Sequence, residues 1–229
     1  MITLYDLAFD NDLRPSPYCW RAKLALKHKG LAWRDEPVGF NEKDKIAFAR
    51  SQIVPVLHDG TAVVKDSWAI ALHLDKAHPD KPLFPNDPVK AHARFVNGWA
   101  DTAVHGLIFP MVVGDMLETV RPQDRVYIIE SRGKRIGTTD FAAFQKKARE
   151  TGVTAFRQVL EPARRVLNQQ PFLSGDAPAY ADYILFGSFL WPHTFTKKLD
   201  LLDKGDVIWS WRERMFDLFD GFGRKVKTA

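Results

Sequence analysis

Val54-Pro55-Val56-Leu57-His58-Asp59-Gly60-Thr61-Ala62-Val63-Val64, followed at once by Lys65-Asp66-Ser67, decides the fold. Two short apolar runs flank an Asp-Gly pair. That is a strong hairpin signal, because a two-residue loop between strands needs residues that accept positive φ. Asp66-Ser67 then reads as a helix start, since either side chain can accept from the free N–H groups of a first turn. Trp68, Ile70, Ala71, Leu72 and Leu74 carry the apolar stripe of that helix to His78-Pro79.

Working outward, Thr3 to Leu7 reads as a strand. Pro15-Ser16-Pro17 starts a helix with Pro17 in its first turn, where the missing N–H costs nothing. Trp20, Ala22, Leu24, Ala25 and Leu26 form its apolar side, and Gly30 stops it. Trp33 to Val38 reads as a second strand, and the polar segment Asn41 to Arg50 as a short, irregular helix. Residues 1–80 therefore follow the order β-α-β-α-β-β-α. On the other side, Pro79, Pro82, Pro85 and Pro88 crowd one short stretch and rule out a continuous helix. Residues 81–88 read as a Pro-rich linker. Residues 89–229 read as an all-α domain, with helices expected near 89–118, 122–149, 152–169, 180–191 and 206–219.

Composition narrows the function classes. The 229 residues are 45% hydrophobic and 27% charged, which suits a folded globular chain. A single cysteine excludes an intramolecular disulfide and a cysteine-based zinc cage, and no metal is expected. The start, Met1 to Asp6, lacks the basic and apolar regions of a signal peptide. The longest apolar stretch, around Tyr183 to Trp191, falls well short of the ~20 residues that span a bilayer. A cytoplasmic protein without membrane segments is expected. The net charge of +5 is concentrated in the segment from Arg121 to Arg149, which holds eight basic and three acidic residues. It reads first as a solvated helix face, and second as an attractor of anionic ligands. A nucleic-acid surface would need a denser basic stripe with interleaved aromatics.

The N-terminal unit resembles the thioredoxin fold. Ser16-Pro17-Tyr18-Cys19, at the turn from the first strand into the first helix, looks like the Cys-Pro-Tyr-Cys of glutaredoxins with serine for the leading cysteine. Val54-Pro55 resembles the cis-proline step whose preceding backbone pairs with the cysteinyl part of glutathione. Asp66-Ser67 resembles the acidic-Ser pair that holds the γ-glutamyl end. With the proline linker and the helical second half, the whole chain resembles the glutathione transferases. Tyr5-Asp6-Leu7, Trp20-Arg21, Ala25-Leu26-Lys27-His28-Lys29-Gly30, Asp66-Ser67-Trp68 and Phe216-Asp217-Leu218-Phe219-Asp220-Gly221 further resemble the bacterial lignin β-etherase and fungal fuscin-type, serine-using branch.

The resemblance implies glutathione as co-substrate and a homodimer. It also implies an α/β thioredoxin-like domain followed by an all-α domain that supplies the second substrate pocket. The chemistry needs a thiolate, because a free thiol with a pKa of about 8.5 is mostly protonated at neutral pH. Ser16, as a hydroxyl donor at a helix N-terminus, is the catalytic candidate; its alternative role is a simple N-cap. Val54 and Pro55 read alone as an ordinary trans strand start, and the resemblance makes them the cysteinyl partner. Asp66 and Ser67 are helix caps or γ-glutamyl ligands. Lys43, Lys45 and Gln52 are candidates for the glycine carboxylate; Ile53 stands where a polar residue often precedes the Val-Pro step. The electrophile pocket is expected from Phe9, Asn11, Trp99, Phe109, Val113 and Trp191, with Asp12, His105 and Phe195 nearby, although each also reads as core. Asp182, in Ala179-Tyr180-Ala181-Asp182, reads as half of a capping box and as structural.

The resemblance implies attack of glutathione thiolate on an aromatic electrophile, such as a lignin-type α-keto β-aryl ether with a phenolate leaving. Two other functions stay open. A thiol–disulfide oxidoreductase is disfavoured because the Ser16 hydroxyl cannot form a mixed disulfide. A non-catalytic binder of aromatic compounds would use the same pocket residues.

Overall fold

A computed structural model describes residues 1–196 and 199–229. Four strands, β1 (Ile2–Leu7), β2 (Trp33–Val38), β3 (Val56–Asp59) and β4 (Ala62–Lys65), form one sheet in the order β2-β1-β3-β4. β2 runs parallel to β1; β3 is antiparallel to β1, and β4 to β3. Alternation along the strands divides the side chains between two faces. Leu4 and Leu57 join the main core under α1 (Pro17–Lys29) and α2 (Ser67–Ala77). Val56 and Tyr5 point the other way, onto Val38 and onto Ile46 of a 3-10 segment at Lys43–Ala49. The hairpin closes at Gly60, φ +61, as the Asp-Gly pair requires.

The ends of α1 follow from its sequence. Ser16 accepts the Cys19 N–H at 3.2 Å, Pro17 occupies the first turn, and Gly30 at φ +68 caps the last turn onto the Leu26 and Lys27 carbonyls. The linker is shorter than the prolines imply. Asn86 accepts the Val89 N–H and starts α3 (Asp87–Trp99), so Pro88 belongs to the helix.

The helical domain continues with a π-turn at Ala100–Val104 and α4 (His105–Thr119). It ends with α5 (Arg125–Ile136), α6 (Phe141–Val159), α7 (Glu161–Leu167), α8 (Tyr180–Phe195) and α9 (Val207–Gly221). Two expectations are corrected here. The single helix expected over 122–149 breaks at Gly137, φ +76, and restarts where Asp140 caps Ala143. No break falls between 149 and 152 either, since Gly152 lies inside α6; a Cβ there would stand 2.6 Å from Met111 Sδ, so this glycine serves the close approach of α4. Continuous helix from Asp87 to Thr119, across α3, the π-turn and α4, is long and apolar enough to cross a bilayer on length and composition alone, and half of its most apolar stretch is buried within the protein.

Close approach also joins the two domains. A Cβ at Gly187 of α8 would stand 2.7 Å from the Pro17 carbonyl, so only glycine lets α8 support the start of α1. Arg21 of α1, fully buried, reaches Asp101 at 2.7 Å and Asn97 at 3.2 Å. The Tyr180 hydroxyl donates to the Ser67 carbonyl at 2.6 Å, fixing α2 to α8.

Candidate functional site

Two cavities of about 290 Å³ each meet at Ser16. One lies within reach of the N-terminal domain's own loops and is lined by Val38, Lys43, Gln52, Ile53 and Val54, with Tyr127 of α5 opposite. The other lies between the domains, against Phe9, Phe109, Met116, Trp191 and the π-turn residues Asp101 and Thr102. Leu7, Ser16, Tyr18, Phe40 and Arg132 line both, so the two form one groove with the α1 N-terminus at its centre. The free N–H groups of a helix start carry partial positive charge and suit an anion.

Several expected residues come together there. Ser16 is buried, and its Oγ uses a lone pair on the Cys19 N–H, leaving its proton to donate elsewhere. Val54 lines the groove, the Val54–Pro55 bond is cis, and the sheet ladder begins only at Val56. Lys43 and Gln52 line the same cavity, with the Lys43 ammonium 5.2 Å from the Tyr127 ring centre. Asp66 and Ser67 line neither cavity but adjoin the Val54 end, where the Asp66 N–H donates to the Pro55 carbonyl at 3.3 Å. The Asp66 carboxylate caps α2 through the Trp68 and Ala69 N–H groups.

Other expectations are corrected. Lys45 turns away, its ammonium held by the Pro37 carbonyl at 3.0 Å and Glu42 at 3.1 Å. Asn11 sits exposed on a left-handed turn at φ +50, and Asp12 is taken by Arg14. Trp99 packs half-buried against the core, and Val113 is sealed within it. Phe195 stacks behind Phe9 with ring centres 6.0 Å apart, outside the lining. Phe9, Phe109, Trp191 and His105 do line the inter-domain cavity. Asp182 is structural as expected, accepting from Leu173, Ser174 and Ala179 N–H groups and the Trp211 indole.

The residues that sequence reading missed are Tyr18, Phe40, Tyr127, Arg132 and Arg135. Tyr18 had a signal, two positions after Ser16 in the first turn of α1. Its hydroxyl is 3.4 Å from His105 Nδ1, and His105 Nε2 is 2.9 Å from Ser188 Oγ. Burial, reinforced by Asp101, pushes the Tyr18 hydroxyl up, so it stays protonated at neutral pH. Burial and then the Arg21 charge push His105 down to about 3, so it stays neutral. Cys19 is buried beside Asp6, and burial pushes its thiol well up, away from the thiolate form.

A clasp holds the groove's two walls together. Arg121, before α5, reaches Glu42 at 3.0 Å and buried Asp124 at 2.9 Å. Asp124 in turn accepts the Asn41 N–H at 2.9 Å, and the Asn41 amide donates to the Gln123 carbonyl. Gly39 leaves room for this: a Cβ there would stand 1.3 Å from an Arg121 nitrogen.

Two family models match the chain. Residues 15–77 match the N-terminal domain of glutathione S-transferases, and residues 91–203 the C-terminal domain. Glutathione S-transferase Z1 of Arabidopsis thaliana is 30% identical over 145 residues, which is 61% of this chain and 59% of that protein. The chain thus spans less than two thirds of that relative. A glutathione S-transferase of Ceriporiopsis subvermispora, solved in complex with glutathione, superposes with a TM-score of 0.76 at 20% identity, over 96% of each chain. Glutathione transferase GSTFuA3 of Phanerochaete chrysosporium gives 0.76 at 24%, over 98% of this chain and 95% of that one. At these identities the structural likeness is one of fold.

Proposed function

Because the chain belongs to the glutathione S-transferase superfamily, we propose that it is a glutathione transferase whose thiolate forms at Ser16 and attacks an aromatic electrophile. The observation that carries this reading is the place of Ser16, at the α1 N-terminus where the two cavities meet. Glutathione lies along the first cavity. Its γ-glutamyl end meets the α2 start at Asp66 and Ser67, and its cysteinyl unit pairs with the Val54 backbone. Lys43 and Gln52 take the glycine carboxylate.

The sulfur then faces the Ser16 hydroxyl and the first N–H groups of α1. Both favour the thiolate over the thiol. The electrophile sits among Phe9, Phe109 and Trp191 in the second cavity. A carbon–sulfur bond forms, the bond to the leaving group breaks, and the electron pair departs with that group. In a β-aryl ether the leaving group is a phenolate, the reaction of the serine-using branch that the sequence resembles. The same reading makes the protein a cytoplasmic homodimer, expected to scatter light at twice the 26.1 kDa monomer mass.

The test is twofold. Saturating glutathione raises the thermal midpoint and gives a calorimetric binding heat, and one glutathione is consumed per aryl electrophile converted. No midpoint shift with silent calorimetry overturns the assignment. Binding of aromatics without glutathione consumption makes the protein a carrier instead.

A further inference from the structure

The wall of the electrophile cavity is not apolar throughout. Arg132 and Arg135, one helical turn apart on α5, both line it. Among the described residues neither guanidinium has a carboxylate partner or a hydrogen bond. The acidic groups nearby are committed elsewhere. Glu42 and Asp124 hold Arg121, and Asp115 holds Arg149. Asp101, the acid in the cavity lining, is bound to Arg21 at 2.7 Å and to the Asn97 amide at 2.8 Å.

Each arginine is held by an aromatic face instead. The Arg135 guanidinium carbon stands 4.2 Å from the Phe109 ring centre, and that of Arg132 stands 5.7 Å from Phe40. Stacking fixes the plane of a guanidinium while leaving its in-plane N–H groups free to donate. Burial, with Arg135 adding to it, pushes Arg132 down from the usual guanidinium range, as expected for a cation with no counter-charge. The wall therefore offers two positioned cations beside an apolar slot of Phe9, Phe109 and Trp191.

We propose that Arg132 and Arg135 form an anion subsite, and that the second substrate is an aromatic compound bearing a carboxylate. This rests on the transferase reading for the reaction but not for the binding. The aryl ring fills the slot between Phe109 and Trp191, and the carboxylate meets the two guanidinium edges. Arg132 also lines the glutathione cavity beside Lys43, whereas Arg135 lines the electrophile cavity alone, so Arg135 isolates the effect.

The probes are 3,5-dinitrobenzoate and its neutral amide, which lack a leaving group, and the 4-chloro derivatives of both. In the chloro compounds glutathione thiolate bonds to the ring carbon and chloride leaves with the electron pair. Binding is measured by calorimetry with glutathione present and absent, and turnover by glutathione consumed. The wild type is expected to bind the benzoate about tenfold tighter than the amide, the worth of a charge-assisted contact at a part-exposed site. Arg135→Gln, Arg135→Met (which keeps an unbranched apolar side chain) and Arg132→Gln each shrink that preference, and the double glutamine variant abolishes it. Lys134→Gln, on the same helix and outside the lining, keeps it. Equal binding of acid and amide by the wild type, or a preference that survives the double variant, overturns the subsite. Equal turnover of both chloro compounds overturns it while leaving the transferase reading intact. Preferential benzoate binding without glutathione consumption does the reverse.

Discussion

On the proposed mechanism, replacing Ser16 with alanine removes two interactions that can be measured apart. The first is the cap: Oγ accepts the Cys19 N–H at 3.2 Å, and its loss costs about 1 kcal/mol, or a midpoint drop of roughly 2–4 °C for a chain of this size. The second is the donor to bound sulfur. A hydrogen bond to a charged group is worth about 1.5–3 kcal/mol, which raises the pKa of bound glutathione by about 1–2 units. Fully expressed in the transition state, that is roughly a 10–150-fold loss of rate. The N–H groups of α1 remain, so the loss falls toward the lower end. Ser16→Gly separates the two, because glycine costs a cap only a few tenths of a kcal/mol yet removes the hydroxyl. Thiolate absorbance titrated against pH and turnover of an aryl chloride are the assays. Both variants are expected to lose activity alike, while only alanine lowers the midpoint appreciably. Cys19→Ala is expected to leave pKa and rate nearly unchanged, since Cys19 is buried and protonated. An inactive Cys19→Ala with a normal Ser16→Ala would refute the mechanism.

Three further outcomes follow from the geometry. Gly39→Ala should displace the Arg121 guanidinium from Glu42 and Asp124 and lower stability by about 1–3 kcal/mol, read from the denaturant midpoint; in the Arg121→Ala background the cost should shrink but not vanish, because the new Cβ still stands 2.6 Å from the buried Asp124 Oδ2. His105, depressed to about 3 in the fold, contributes stability that is full above its unfolded pKa of about 6.5 and lost as pH falls toward 3. His105→Gln should therefore flatten the stability profile below pH 6.5, and a His105 imidazole resonance titrating near 6.5 would contradict this. Gly106 lines the inter-domain cavity with nothing near its absent Cβ, so, if that cavity takes the electrophile as proposed, Gly106→Leu should raise the KM for an aryl substrate without weakening glutathione in calorimetry.

The N-terminal domain was legible because its signals are local. An Asp-Gly pair, a Ser-Pro helix start and an Asp-Ser helix start act through neighbouring backbone groups, so their geometry depends little on distant packing. Helix breaks were harder. Gly137 and Gly152 look alike in sequence, yet Gly137 ends α5 at positive φ while Gly152 makes room for Met111. Only the path of α4 distinguishes a stop from a close approach.

The second cavity was the least legible part, for a related reason. Phe109 and Val113 lie one turn apart on the same face of α4, yet Phe109 borders the cavity and Val113 is sealed. What differs is the neighbour above each, which periodicity does not encode. The same holds for the basic segment. Arg132 and Arg135 read as a solvated face because helix α5 has no reason of its own to turn them inward. Phe40, held near α5 by the Asn41–Asp124 and Glu42–Arg121 contacts, converts one stretch of that face into a cavity wall. If this cavity takes the second substrate as proposed, the clasp between the two domains sets the position of its wall, and a change at Gly39 or Arg121 should alter electrophile preference without touching a residue that contacts it.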